Sequence, residues 1–194
     1  MNISIIKYNA GNIQSVLFAL ERIGINATVT DDPELLRSSD KVIFPGVGEA
    51  STAMNYLKER NLDKLIISLK QPVLGICLGM QLLCDYSEEN DTACLGVFKT
   101  TVKKFMVDLK VPQIGWNKIQ VNSTTRLLKE IPDNAYCYFV HSYYAGLCGN
   151  TIAETEYGIT FSSALAKDNF YGVQFHPEKS ATTGEQILKN FLAL

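Results

Sequence analysis

Apolar runs of strand length alternate with helically spaced apolar positions through the first half of the chain. Ile3 to Tyr8 predicts a first strand. Ile13, Val16, Leu17, Leu20 and Ile23 then recur at helical spacing between Asn12 and Gly24, and Gly24 suits the helix stop. Ala27-Thr28-Val29-Thr30 reads as a second strand. Asp32-Pro33-Glu34 opens a short helix, with Asp32 as N-cap and Pro33 at the first helical position. Lys41 to Phe44 is a third strand, ended by Pro45-Gly46, and a helical pattern covers roughly 49–69 with a break near Asn61. Pro72-Val73-Leu74-Gly75-Ile76 is wholly apolar, as suits a parallel strand buried on both faces.

Strands alternating with helices predict an open, mostly parallel α/β sheet with right-handed crossovers. From about Gly96 the pattern changes. Segments 97–107, 136–141, 151–162 and 170–175 read as strands joined by short turns, so an antiparallel extension is expected in the second half. Thr183 to Leu194 closes the chain as a helix with Ile187, Leu188 and Phe191 on one face. No repeat, low-complexity tract or Pro/Ser-rich linker divides the chain, and one domain over 1–194 is expected.

Composition narrows the classes. The 194 residues are 46% hydrophobic, enough for a sizeable core, and the formal charge of -2 offers nucleic acid or an anionic membrane no bulk attraction. No apolar run approaches the ~20 residues that cross a bilayer. The start, Met1 to Ile6, lacks the basic and apolar regions of a signal peptide. Five cysteines (Cys77, Cys84, Cys94, Cys137 and Cys148) form no CxxC pair, which argues against a disulfide framework or a metal site. A reducing cytoplasm, with no metal and no cofactor, is the expected setting.

Three segments carry candidate chemistry. In Gly75-Ile76-Cys77-Leu78-Gly79 a cysteine ends a buried strand, and Met80-Gln81-Leu82-Leu83 continues as a helix. That is the strand–turn–helix context of a nucleophile elbow. Only small neighbours fit around such a strained turn, and the helix N-terminus favours a thiolate. The pentapeptide alone fits a buried structural cysteine equally well. In Gly172 to Glu178 an apolar strand runs into His176-Pro177-Glu178. An extended chain points residues two apart to the same side, so Glu178 can orient His176 as a base. Pro45-Gly46-Val47-Gly48 can aim backbone N–H groups at an oxyanion, or be a plain strand-exit turn or weak phosphate loop. The only other histidine, His141, is a competing base without a carboxylate nearby in sequence. Trp116 fits either a core position or a partner surface.

At these residues the sequence resembles the class I (triad) glutamine amidotransferases, through Gly75-Ile76-Cys77-Leu78-Gly79-Met80-Gln81 and Phe175-His176-Pro177-Glu178. Further tokens are Gly11-Asn12, Pro45-Gly46-Val47-Gly48, Ser87-Glu88-Glu89, Gly115-Trp116-Asn117, Tyr138 to Tyr143 and His176 to Ser180. They resemble one branch of that family, whose glutaminase feeds ammonia to a (β/α)8-barrel cyclase in histidine biosynthesis. A paralogue serving another acceptor, such as an amidino sugar, remains the alternative, with a degenerate binding module and a cysteine peptidase behind it.

The resemblance implies a flavodoxin-like fold, with L-glutamine as substrate and Cys77, His176 and Glu178 as the triad. It further implies an oxyanion hole from Leu78 and, after a rearrangement, from Gly46 and Val47. Glutamine contacts would come from Gly46, Gly48, Gln81, Glu89, His141, Ser142 and Tyr143. Asn12, Gln113, Trp116, Tyr138 and Lys179 would face the partner. Two places depart from the pattern: Lys7 to Ala10 before Gly11-Asn12, and Gln113-Ile114 where His-Met is usual. Both bear on docking of the partner rather than on hydrolysis.

Overall fold

The computed structural model describes residues 1–9, 12–123 and 125–194. Ala10 and Gly11, part of the first-turn motif, lie outside the described residues. Among the described residues the element order is β1 (Ile3–Ile6), α1 (Ile13–Arg22), β2 (Ala27–Thr30), α2 (Pro33–Ser38), β3 (Lys41–Phe44), α3 (Ala50–Glu59), α4 (Leu62–Ser68), β4 (Val73–Ile76) and α5 (Leu78–Leu82). There follow β5 (Cys84–Ser87), β6 (Thr92–Ala93), β7 (Phe98–Lys104), β8 (Gln113–Val121), β9 (Ala135–His141) and β10 (Tyr143–Ala145). Last come β11 (Thr151–Glu156), β12 (Thr160–Lys167), β13 (Phe170–Val173), a 3-10 turn at Pro177–Lys179 and α6 (Ala181–Leu192).

A nine-stranded sheet runs in the order β2-β1-β3-β4-β13-β12-β11-β8-β9. From β2 to β13 every pair is parallel, which is the flavodoxin-like order expected of a doubly wound sheet. From β13 onward every pair is antiparallel, so the extension accounts for half of the pairings. A second sheet, β10-β7-β5-β6, lies beside the first. Of its strands, β7 is the one expected over 97–107, while β5, β6 and β10 have no counterpart among the elements the sequence pattern predicts. The expected strand over 151–162 is two strands, β11 and β12, paired as a hairpin. No helix of the described residues is long and apolar enough to cross a membrane.

Alternate residues of the central strands feed two apolar layers. Ile5, Ile43, Leu74 and Ile76 meet Val16 and Leu20 of α1 and Ile187 and Phe191 of α6 on one side. Ile6, Val42, Phe44 and Val73 meet Met54, Leu57, Leu65 and Leu82 on the other. The strands are buried on both faces, which is why they read as unbroken apolar runs. Local chemistry agrees with the fold at α2, where the Asp32 carboxylate accepts from Glu34 N at 2.8 Å and Leu35 N at 3.2 Å. Asn61, in a left-handed conformation at φ 55°, separates α3 from α4 as expected.

Two glycines let helices press directly on backbone. A Cβ at Gly79 of α5 would overlap the carbonyl oxygen of Phe44 in β3, and one at Gly184 of α6 would overlap that of Pro177. Both carbonyls are backbone and cannot swing aside. Gly79→Ala and Gly184→Ala are each expected to destabilise the fold by about 3 kcal/mol, the upper end for overpacking. Gly149→Ala, where no atom lies within 4 Å, serves as the neutral control. Urea unfolding of the three variants checks this, and equal midpoints would contradict it.

Candidate active site

The site is assembled where β4 and β13 end side by side. Gly172 pairs with Gly75 and Val173 with Ile76, in parallel register. The next amide along β4, Cys77 N, donates to Val173 O at 2.8 Å. Cys77 then turns sharply into α5 with φ 52° and ψ -108°. A side chain at such a positive φ is strained, and the two apolar layers on either side of β4 hold it there. Its Sγ lies 3.7 Å from Val140 O and 3.7 Å from Gln174 Nε2.

From β13 the chain leaves the strand and bonds to β9 instead, His176 N donating to Tyr138 O at 2.8 Å. Tyr138 N in turn donates to Ser180 Oγ at 2.9 Å, and Ser180 Oγ donates to His176 O at 2.7 Å. The His176–Ser180 segment is therefore clamped at both ends. Between the clamps the backbone is a 3-10 turn opened by Pro177, not the extended chain expected from the sequence. His176 and Glu178 still meet, because the tight turn folds Glu178 back beside the ring. His176 Nδ1–H donates to Glu178 Oε1 at 2.8 Å, and both side chains are almost fully buried. That bond fixes the tautomer and leaves Nε2 free to face Cys77.

Electrostatics separates the two histidines. Burial alone would lower the His176 pKa. The charge and hydrogen bond of the Cys77 sulfur, with the Glu178 carboxylate, outweigh burial and push it up to about 10. His141 is the opposite case. Burial drives it down to about 4, and the neighbouring His176 adds to the effect. Its Nδ1–H goes to the Tyr143 carbonyl at 2.7 Å, leaving Nε2 as a buried acceptor without a partner. His141 thus has a backbone carbonyl where His176 has a carboxylate, and it stays neutral where His176 is protonated.

A cavity of about 280 Å³ opens onto Cys77. It is lined by Val47, Gly48, Leu78, Gln81, Glu89, His141, Ser142 and Tyr143, with Pro112 and Val140. It lies just below the range of drug-sized pockets and suits an amino-acid-sized ligand. Of the residues expected around a substrate, Gly46 alone is absent from the lining. Glu89 presents a half-buried carboxylate whose pKa is raised, chiefly by burial. Gln81 is committed internally, its Nε2 donating to Tyr143 O at 2.9 Å and to Gln174 Oε1 at 3.0 Å. Gln174, fully buried beside the sulfur, is a site residue that sequence reasoning does not single out. A polar residue following the apolar end of β13 is the available signal.

One of the expected oxyanion donors is already engaged. Leu78 N–H donates to the Gly46 carbonyl at 3.3 Å, so one donor is occupied by the segment that should supply the others. Tyr8 Oη, donating to Pro45 O at 2.6 Å, anchors the start of that segment.

The expected partner-facing residues divide. Trp116 is 52% exposed, which settles its position on the surface, and its ring meets Tyr138 edge-on at 5.9 Å between centroids. Lys179 Nζ lies 5.9 Å above the Tyr138 ring. Asn12 is half-buried at the start of α1. Gln113 is 2% exposed in the isolated chain, a buried position rather than a surface one. Its side chain projects with the inward-facing residues of β8 because it precedes the outward Ile114 and Trp116 by an odd number of residues. A larger groove, about 590 Å³, runs along the outer side of β8 and includes no triad residue.

Comparison with known proteins places this geometry in a family. Residues 5–194 match the family described as Glutamine amidotransferase class-I. The chain is 54% identical to a Bacteroides thetaiotaomicron protein named imidazole glycerol phosphate synthase subunit HisH, over all of both chains. It is 48% identical to the protein of that name from Pectobacterium atrosepticum, again over all of both. Among solved structures, a putative GMP synthase subunit from Thermoplasma acidophilum superposes with a TM-score of 0.76 at 20% identity. That match covers all of this chain and 93% of the other, and it bears on the fold alone. The chain belongs to the class I glutamine amidotransferases and, within them, to the group of the imidazole glycerol phosphate synthase HisH subunits.

Proposed function

We propose that the chain is the glutaminase subunit of an imidazole glycerol phosphate synthase, acting as one catalytic domain in the cytoplasm without a cofactor. It hydrolyses L-glutamine to L-glutamate and ammonia. The ammonia passes to a cyclase subunit of (β/α)8-barrel type, which converts PRFAR to imidazole glycerol phosphate and AICAR in L-histidine biosynthesis. The observation that carries the reading is the buried Cys77–His176–Glu178 arrangement facing an amino-acid-sized cavity, with His176 Nδ1 held 2.8 Å from the carboxylate. Full-length identity to HisH proteins supports the acceptor side.

In this reading the Cys77 sulfur attacks the side-chain carbonyl carbon of glutamine. The C–N bond breaks and His176 gives its proton to the leaving ammonia. His176 then takes a proton from water, the resulting hydroxide attacks the thioester, and glutamate leaves as the thiol reforms. Glu178 holds the imidazole in the working tautomer through both transfers. The neutral His141, with its free Nε2, and the Glu89 carboxylate supply acceptors for the substrate's N–H groups, while Ser142 and Tyr143 shape the same wall. Gly46, Val47 and Leu78 stabilise the oxyanion once the Leu78 N–H is released from the Gly46 carbonyl. The isolated chain is therefore poorly active, and docking through Asn12, Trp116, Tyr138 and Lys179, with the buried Gln113 behind that surface, favours the released arrangement.

Ammonia release from glutamine, followed with and without the cyclase, tests the proposal. Slow release alone and strong stimulation by the cyclase are expected, with both abolished in Cys77→Ala. High constitutive turnover by the isolated chain would contradict it. Complementation of a strain lacking the histidine-pathway glutaminase tests the acceptor, and failure would point to another one.

The two imidazoles give a second check, since the chain has only two histidines. Titration by NMR should find His176 protonated up to about pH 10 and His141 neutral down to about pH 4. Glu178→Gln removes an anion that favours the imidazolium, so the His176 midpoint moves down. Turnover should fall by about 10⁴-fold, as when an orienting carboxylate becomes an amide that fixes the wrong tautomer. A wild-type His176 titrating near 6.5 would overturn this account of the site.

A further inference from the structure

The Glu178 carboxylate is only partly held by the ring it orients. Its Oε1 accepts from His176 Nδ1 at 2.8 Å and from Asn12 Nδ2 at 3.1 Å, while Oε2 is buried without a partner among the described residues. The torsion that turns a carboxylate is broad and two-fold. A buried carboxylate with one orphan oxygen can therefore rotate away from the imidazole unless a second donor holds it. Among the described residues Asn12 is the other side chain that donates to it.

The conformation of Asn12 points the same way. Asparagine is among the best helix N-caps, a role worth about 1 kcal/mol. Asn12 occupies the N-cap of α1 yet makes no side-chain cap bond. Its backbone is left-handed at φ 71°, which asparagine tolerates better than most residues. The side chain reaches across to the Pro177–Lys179 turn instead. Its orientation follows from chemistry: a carboxylate only accepts, so Nδ2 faces Glu178 and Oδ1 receives the Ser15 hydroxyl. At the far end of the same helix, Arg22 Nη2 donates to the Glu178 carbonyl at 3.4 Å. Helix α1 thus grips Glu178 by both side chain and backbone.

We infer that Asn12 is a positioning residue for the hydrolysis: it holds Glu178 Oε1 against His176 Nδ1 and so keeps the imidazole aimed at Cys77. The inference rests on the amidotransferase reading of that triad. Asn12 lines no part of the Cys77 cavity, so its influence falls on turnover and not on glutamine affinity.

Two substitutions preserve the backbone and remove the donor. Asn12→Gly keeps the left-handed conformation and deletes the amide. Asn12→Asp keeps the shape and the Ser15 bond but presents an acceptor to an acceptor. Each is assayed for ammonia release at saturating cyclase, and for alkylation of Cys77 by a glutamine-like chloroketone in the chain alone, which is independent of docking. The expected result is about a tenfold fall in kcat and in alkylation rate, within the range for residues that orient a functional group. KM for glutamine stays unchanged, and both variants remain folded at the assay temperature although each loses some stability with the donor to a buried carboxylate. Lowering the pH should restore Asn12→Asp relative to Asn12→Gly, because its protonated acid donates to Oε1 as the amide did.

Should Asn12→Gly fold poorly, Ser15→Ala lets the amide turn without altering the helix start, and a loss of a few-fold in kcat alone is expected. Wild-type kcat in these variants, a change confined to KM, or an Asn12→Asp profile that tracks wild type at every pH would overturn the inference. A Cys77→Ala chain that still releases ammonia would sink the amidotransferase reading itself. An inactive Cys77→Ala beside a fully active Asn12→Gly would sink only the role of Asn12.

Discussion

The parallel pairing of β4 with β13 is the constraint on which the site depends. Cys77 and His176 stand far apart in the sequence, and no local interaction brings them together. The register Gly172–Gly75 and Val173–Ile76 does so, by bringing the carboxyl ends of both strands side by side in the middle of the sheet. Everything nearby serves those strand ends. Helix α5 lies close on β3 because Gly79 has no side chain, and α6 lies close on the His176–Ser180 turn because Gly184 has none. Two apolar layers hold β4 from both faces. Burial of this kind contributes roughly 25 cal/mol per Å² of apolar surface, and a strained φ costs about 1–3 kcal/mol. A few buried core side chains are enough to hold Cys77 in its elbow.

The same rigidity explains why the site is assembled yet closed. The sulfur, imidazole and carboxylate are fixed by strand ends and a clamped turn. The proposed oxyanion donors are not, because the Pro45–Gly48 segment leaves β3 and, among the described residues, is hydrogen-bonded to α5 by a 3.3 Å bond from Leu78 N to Gly46 O. A net backbone hydrogen bond contributes only about 0.5–1.5 kcal/mol. Exchanging that bond for N–H groups aimed at the cavity therefore lies within reach of a docking event, whereas moving Cys77 would break the core. The division between a rigid Cys77 and an adjustable 45–48 segment follows from which backbone is paired in the sheet and which is not.

The legibility of the sequence follows the same division. The elements around Cys77 are readable because parallel strands buried on both faces are unbroken apolar runs, and because Asp32-Pro33 and Asn61 carry their own local signals. The antiparallel half is harder. Strand β8 escapes the pattern, since its outward positions Ile114 and Trp116 are apolar and exposed, which blurs the alternation. Strands β11 and β12 merge because Tyr157 and Ile159 flank the turn, and only Gly158, at φ 68°, marks it. The expectation that His176 and Glu178 share a side is met by a different backbone, a 3-10 turn in place of extended chain. Sequence spacing alone does not distinguish the two. Gln174 and the bond from Asn12 to Glu178 depend on tertiary packing and leave no pattern in the chain.

One consequence of this layout concerns how a surface event could reach a buried triad. Strand β9 has two faces. Outward, Tyr138 meets Trp116 and lies beneath Lys179, forming an aromatic patch that half-exposed rings make adhesive. The backbone of that same Tyr138 accepts from His176 N and donates to Ser180 Oγ. A load on the patch is thus carried into the turn that bears His176 and Glu178 by two hydrogen bonds, one directly between backbones and one through the Ser180 hydroxyl. Helix α1 meets the turn from the other direction, through Asn12 at one end and Arg22 at the other. The imidazole is therefore held between two elements that both reach the surface. Its alignment depends on how those elements are seated as well as on the core beneath it.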